Sequence, residues 1–267
     1  MGKRTAEMGN APIGPLLIRM SIPGIISMVV MSLYNIVDTL WVSGLENGTE
    51  AIAALTVLMP LMHISGALGM GAGAGVTSLV SRRYGERKTD EVNTIAGNAV
   101  VLPVILGVGV AAICLSFPEA MALLFGGSRE LVGIAVIYLN VAAFGFPFQI
   151  FTMTVNGLYR GSGNTLTPMY IMAASAVLNA SLDPFLIYGW GPFPEMGLRG
   201  AAVATVSAQV LGFLISIIYL NSGRSGYRIK LSDLKLRVAI LRDIAVVGVP
   251  SFINGCVRST IGSIINW

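Results

Sequence analysis

Seven stretches of this 267-residue chain are apolar over the length that crosses a bilayer, about 20 residues at 1.5 Å per residue in a helix. They run over 14–43, 51–80, 93–116, 130–158, 167–188, 199–220 and 243–267. None alternates with period 2 as a barrel strand does, so helices are the spanning element. Only 11% of the residues are charged against 54% apolar, with a mean hydropathy of +0.77. A soluble domain carries about 25% charged residues. That shortfall excludes a soluble enzyme or a nucleic-acid module, despite a net charge of +4. The fold expected is an all-α polytopic membrane protein.

The breaks between segments are polar and short. They are Gly44–Glu50, Arg82–Glu91, a turn flanked by Phe117–Pro118 and Gly126–Arg129, Arg160–Asn164, and Gly189–Gly197. The longest, Asn221–Arg242, alternates basic with apolar residues, as an amphipathic surface segment does. A cytoplasmic N-terminus puts Lys3, Arg4, Arg82, Arg83, Arg87, Lys88, Arg160, Arg224, Arg228, Lys230, Lys235, Arg237 and Arg242 inside. Only Arg129 and Arg199 then face outside, with Arg19 and Arg258 within segments. This asymmetry obeys the positive-inside rule. The first dozen residues lack the apolar core and cleavage site of a signal peptide, and Ala6 stands where myristoylation needs Ser or Thr. The expectation is a multi-pass protein of the plasma membrane with its N-terminus cytoplasmic.

An internal repeat refines the organisation. Ser21–Ile22–Pro23–Gly24–Ile25–Ile26 reappears as Gly248–Val249–Pro250–Ser251–Phe252–Ile253, with Ser32 and Ser259 in step. The seventh segment therefore restarts the pattern, and the chain stops at Trp267 inside it. Parallel six-helix repeats are a transporter architecture. The division expected is a cytoplasmic N-terminus over 1–13, a six-helix lobe over 14–220, a basic cytoplasmic linker over 221–242, and over 243–267 a truncated seventh helix beginning a second lobe. On this view the chain is the first half of a longer transporter.

Two acids fall inside apolar segments, Asp38 and Asp183, where an ionised side chain costs at least about 2.5–3.5 kcal/mol. Asp38 lies six residues before Gly44 and Asp183 six before Gly189, so each sits about 9 Å below the outer end of its helix. One turn below them on the same faces are Tyr34 and Asn179. The sixth segment descends from about Leu198 and brings Thr205 to a comparable depth. Five oxygen-bearing side chains from three helices thus share one layer. Such a layer suits a proton, taken and released as water access changes, or a hard cation such as Na⁺ held by Asp38, Asn179, Asp183 and Thr205. Asp183–Pro184 also reads as a helix-breaking pair. Pro23 removes the hydrogen bond to the Arg19 carbonyl, so a bend is expected there, either a static kink or a hinge.

Other features carry less. Gly66, Gly69, Gly71, Gly73 and Gly75 match no phosphate-loop pattern and are expected to let helices approach closely. His63, the one histidine, cannot make a zinc site and is expected to hydrogen-bond in the core. Met28, Met31, Phe144, Phe146, Phe148, Phe151, Met153, Met169 and Met172 are candidates for an adaptable cavity wall or for lipid-facing positions. Gln149 and Asn156 are expected to face the interior.

Tyr34–Gly44 (YNIVDTLWVSG), Gly71–Gly85 (GAGAGVTSLVSRRYG), Gly157–Pro168 (GLYRGSGNTLTP) and Leu178–Gly189 (LNASLDPFLIYG) resemble the MATE family of multidrug and toxic compound extrusion transporters. The likeness is closest to the DinF-like prokaryotic branch, with an aspartate in helix 1 and Asn-x-x-x-Asp in helix 5, and it runs from about residue 12 to the end. The resemblance implies twelve helices in two six-helix lobes, exchanging organic, often cationic, compounds for H⁺ or Na⁺ moving inward. By position Asp38 matches the helix-1 carboxylate, with Tyr34 beside it and Pro23 as the bend-forming proline. Asn179 and Asp183 match the helix-5 pair, and Thr205 the helix-6 hydroxyl. The departure is length, since family members carry a second lobe of similar size. The expected partners are therefore small drug-like substrates, the lipid bilayer, and either the missing C-terminal lobe or a second copy, with no nucleic acid and no cofactor beyond the coupling ion. Competing expectations are a lipid-linked precursor flippase of related fold, which calls for several basic residues where the segments offer Arg19 and Arg258, and an inactive truncated product. An intramembrane enzyme would need a nucleophile–base pair or a metal cluster in the spans, and the segments hold one histidine.

Overall fold

The computed structural model describes residues 12–265, nearly all of them in helices. In chain order the helices are α1 (Ile13–Ser43), α2 (Gly48–Gly85), α3 (Thr89–Ser116), the short α4 (Pro118–Leu124), α5 (Arg129–Ala142), α6 (Phe146–Gly161), α7 (Leu166–Tyr188), α8 (Leu198–Asn221) and α9 (Val238–Ile265). Seven helical units among these residues are long and apolar enough to cross a membrane, α5 and α6 together forming the fourth. Lys3, Arg4 and Trp267 lie outside the described residues, as do the side chains of Arg258 and Ser259.

The segments expected from hydropathy match the helices, with instructive differences at their ends. α2 runs on to Gly85 because Val80 and Tyr84 are buried and continue its inward face. α9 begins at Val238, five residues before the apolar stretch proper. Pro118 starts α4, where its missing N–H costs nothing in a first turn. The fourth span is not one helix. A 3-10 turn, Ala143–Gly145, separates α5 from α6 just before Pro147, whose nitrogen cannot continue the hydrogen-bond ladder. Pro23, Pro60, Pro103, Pro184 and Pro250 by contrast sit inside uninterrupted helices. Asp183–Pro184 does not break α7, which continues to Tyr188 and ends at Gly189 in the left-handed region, φ +69°.

The loops rich in Lys and Arg gather at one end, here the basic end, and the other loops at the far end. Each end has its own apolar core. Val42, Leu58, Tyr138, Leu139, Phe146, Ile187 and Leu198 belong to the far-end cluster. Leu79, Tyr84, Ile95, Leu158, Tyr159, Leu220, Tyr227 and Ile244 belong to the basic-end cluster. The glycine run of α2 serves two neighbours at once. A side chain at Gly73 would meet the Met153 carbonyl of α6 at 2.8 Å, and one at Gly71 the Gly248 carbonyl of α9 at 2.7 Å. Thr77 Oγ1 fastens the first seam, lying 2.8 Å from the Gly157 carbonyl. Close backbone packing is thus what these glycines do. His63 departs from expectation: it is exposed. Two residues beyond Leu61 is a rotation of about 200°, so it points away from the buried stripe of Leu58, Leu61 and Ser65.

The linker between α8 and α9 is docked onto the helices. Tyr227 is buried and donates to the Leu158 carbonyl at 2.7 Å. Asn98 of α3 accepts from the Arg237 N–H at 2.9 Å and donates to the Lys235 carbonyl at 3.3 Å. The 3-10 turn Leu231–Leu234 lies against α3 so closely that Gly97 leaves no room for a side chain beneath Asp233.

Candidate functional site

α1 and α7 run in the same direction and are joined at the far end. The Tyr188 hydroxyl donates to the Trp41 carbonyl, and Trp41 packs edge-on against Tyr188 and Trp190, with centroids 6.0 and 5.9 Å away. This aromatic cap lies one turn beyond Asp38 on α1 and about one turn beyond Asp183 on α7. Beneath it the structure brings together the residues singled out by depth. Asp183 and Asn179 are fully buried, and Thr205 nearly so. In the amide orientation that satisfies both groups, Asn179 donates to Asp183 Oδ2 at 3.1 Å and accepts from the Thr205 N–H at 3.3 Å. Asn179 therefore ties the carboxylate of α7 to the backbone of α8. Asp38 comes from the neighbouring helix and is close enough to Asp183 and Tyr34 for their charges to interact. Its Oδ1 is buried with no hydrogen-bond partner among the described residues.

One member of the layer escaped sequence reasoning. Tyr138 of α5 is 4% exposed and stands beside Asp38, Tyr34, Asp183 and the Thr205 hydroxyl. A signal was present: Tyr138 lies nine residues after Arg129, hence about 13 Å below the far end by the arithmetic that placed the aspartates. Without a partner in view, a lone tyrosine in an apolar run reads as core. The completed layer holds two carboxylates, one amide and three hydroxyls from four helices. Among the described residues no cation acts on either carboxylate. Such a set of oxygens can bind a proton or a hard monovalent cation, and the neutral donors can stabilise a remaining negative charge.

Below the layer a cavity of about 780 Å³ extends towards the basic end between α1, α2, α6, α7 and α8. Tyr34 and Thr205 form part of its wall, whereas Asp38, Asn179 and Asp183 stand behind them. Met28, Met31, Met153 and Met172 line it, as do Gln149 and Asn156. Of the other side chains considered for a cavity wall, Phe146 and Phe151 are core, Phe148 packs against Phe213, and Phe144 is exposed. Gln209, one turn below Thr205, adds a further amide, and the exposed Arg160 lines the basic end. Pro23 is buried in a continuous α1 just above Met20, and its carbonyl accepts from Ser27 Oγ at 2.8 Å.

The family model described as MatE matches residues 23–185, which spans the helices that supply Tyr34, Asp38, Tyr138, Asn179 and Asp183. The chain is 32% identical over 225 residues to the FAD transporter of Shewanella oneidensis, covering 82% of this chain and 49% of that one. It is 25% identical over 257 residues to the multidrug export protein MepA of Staphylococcus aureus, covering 96% and 56%. Among solved structures, a MATE in complex with MaD3S superposes with a TM-score of 0.87 at 32% identity, over 96% of this chain and 56% of that one. An outward-facing multidrug resistance MATE family transporter of the MOP superfamily gives 0.85 at 32% identity, over 96% and 56%. The chain spans about half the length of the relatives it matches.

Proposed function

The chain belongs to the MatE family, whose matched relatives are transporters and not enzymes, and on that premise we propose that it forms the N-terminal lobe of a cation-coupled antiporter that exports drug-like compounds. The observation that carries this reading is the pair of carboxylates, the fully buried Asp183 and the half-buried Asp38, set together above a large cavity with neutral polar groups around them among the described residues. H⁺ or Na⁺ binding there neutralises the layer. Release of the ion restores two negative charges in a poorly solvated place, so the two states differ in what they hold. Alternating access needs that differential binding. Pro23 supplies the bend in α1, because its ring nitrogen carries no hydrogen to donate inside the helix.

The domain division follows the same reading: residues 1–13 and the 221–242 linker are cytoplasmic, 14–220 is the lobe, and 243–267 begins the second one. The plasma membrane is its location, with the N-terminus inside. Half-coverage of the relatives supports a missing second lobe, supplied by more chain or by a second copy. A lipid-linked precursor flippase is less well supported, since Arg160 is the one charged residue in the cavity wall.

The test is efflux of a fluorescent substrate from cells carrying Asp38→Asn. Efflux falls to background while the protein still inserts and runs as wild type; normal efflux from such a variant overturns the assignment. The intact mass from native cells accompanies it. A value near twice 28.1 kDa assigns the chain to one lobe of a longer protein, and 28.1 kDa itself leaves a two-copy assembly or a remnant.

A further inference from the structure

The transporter reading leaves the chemical class of the cargo open, and the cavity bears on it. We propose that this cavity takes elongated amphiphilic anions, with the acidic group held by Arg160 and the apolar body laid along the methionine wall. The inference rests on the transport reading and names its substrate class.

Three observations converge on it. First, among the described residues Arg160 is the only charged one lining the cavity, and no ion pair among them involves it. Arg160 is itself exposed and lines the cavity at its basic end, and its planar fork fits a carboxylate, sulfonate or phosphate bidentately. Second, neither acid lines the cavity, where Tyr34 and Thr205 are the members of the layer that do. An organic cation in the cavity meets no carboxylate in its lining and lies beside a positive charge. On this proposal the cargo is anionic, where the family resemblance implies an often cationic one. Third, the shape has one charged end. Met20 and Tyr34 both line the cavity and are fourteen residues apart on α1, a length of about 21 Å. Met28, Met31 and Met153 between them offer a soft, adaptable surface. Gln149 and Gln209 add uncharged hydrogen-bonding groups that do not select the sign of a charge.

Two xanthene dyes of nearly equal shape and opposite charge test this directly: fluorescein, an anion at pH 8, and rhodamine 123, a cation. Each is titrated by fluorescence polarisation against the protein as its cells make it, reconstituted in nanodiscs with no ion gradient. Fluorescein is expected to bind at least about tenfold more tightly than rhodamine 123. Arg160→Gln is expected to weaken fluorescein by about tenfold or more, and Arg160→Lys by less, since the charge is kept and the fork lost. Thr165→Glu, at the same end of the cavity, leaves Arg160 in place and is expected to reverse the preference; it decides the matter if Arg160→Gln fails to fold. Tighter or equal binding of rhodamine 123, no saturable binding of fluorescein, or a fluorescein affinity indifferent to both substitutions overturns the proposal. Equilibrium binding needs no coupling, so a cationic preference together with lost efflux in Asp38→Asn removes the anion assignment and leaves the antiporter intact.

Discussion

The two ends of this molecule treat acidic residues in opposite ways. At the basic end Glu86, Glu91 and Asp243 surround Arg83 at 2.8, 2.8 and 3.8 Å, and Lys88 reaches Glu86 at 3.1 Å. These groups are partly exposed, charges of opposite sign alternate among them, and the network joins the ends of α2, α3 and α9. At the far end Asp38 and Asp183 have an amide and hydroxyls for company and no cation. Water is plentiful where the pairs form, so each pair adds little and its loss is tolerated. Where water is scarce, an uncompensated carboxylate is expensive, and in the proposed function an ion or a proton completes it. Placement of charge, more than its amount, separates scaffold from site.

Substitutions can break or sharpen this contrast. The largest effect is expected from removing a far-end charge: Asp183→Asn, like Asp38→Asn, should bring efflux below about a tenth of wild type with normal expression, measured in intact cells. Next is the seam that holds α9. A side chain at Gly75 has no room under the Ile244 carbonyl, so Gly75→Leu should destabilise by about 1–3 kcal/mol or more, seen as a lowered thermal midpoint in detergent. Tyr138→Phe keeps the ring and deletes only the hydroxyl beside Thr205; a several-fold loss of efflux with an unchanged midpoint would place Tyr138 in the working layer. Asn98→Ala strips the linker of its clamps and should cost about 1–3 kcal/mol of stability while leaving the far end untouched. The smallest effect belongs to Glu86. Hydrogen bonds from Arg83 and Lys88 hold its carboxyl below the usual range, so its contribution is present above the ordinary carboxylate pKa of about 4.3 and is lost as pH falls through the lowered folded value. Between pH 5 and pH 3 the wild-type midpoint should therefore drop slightly more than that of Glu86→Gln, and an equal drop in both would remove the contribution.

Much of this was legible in the sequence because the bilayer leaves few choices. Apolar runs must be helices, and helix rise converts residue counts into depth, which is how Tyr34, Asp38, Asn179, Asp183 and Thr205 fell into one layer. What stayed hidden depended on neighbours. The division of the fourth span at Ala143–Gly145 follows from the close approach of Gln209 to Gly145 as well as from Pro147, and no periodicity announces that. Tyr138 is indistinguishable from a core tyrosine until the carboxylates across from it are placed. Arg160 belongs to a polar loop by composition and to a cavity wall by geometry. Tyr227 looked like one more residue of a surface linker, yet its ring is what pins that linker to α6.

The aromatic cap has a practical consequence. Of the three tryptophans in the sequence, Trp41 and Trp190 both sit in it, and Trp41 follows Asp38 by a single turn. Ultraviolet emission from this protein is therefore weighted towards the junction of α1 and α7, where a change of ionisation at Asp38 alters the local field on the indole. The molecule carries its own optical gauge beside the carboxylate layer, so the proposed binding of a proton or sodium can be tested by wavelength shift without attaching a dye.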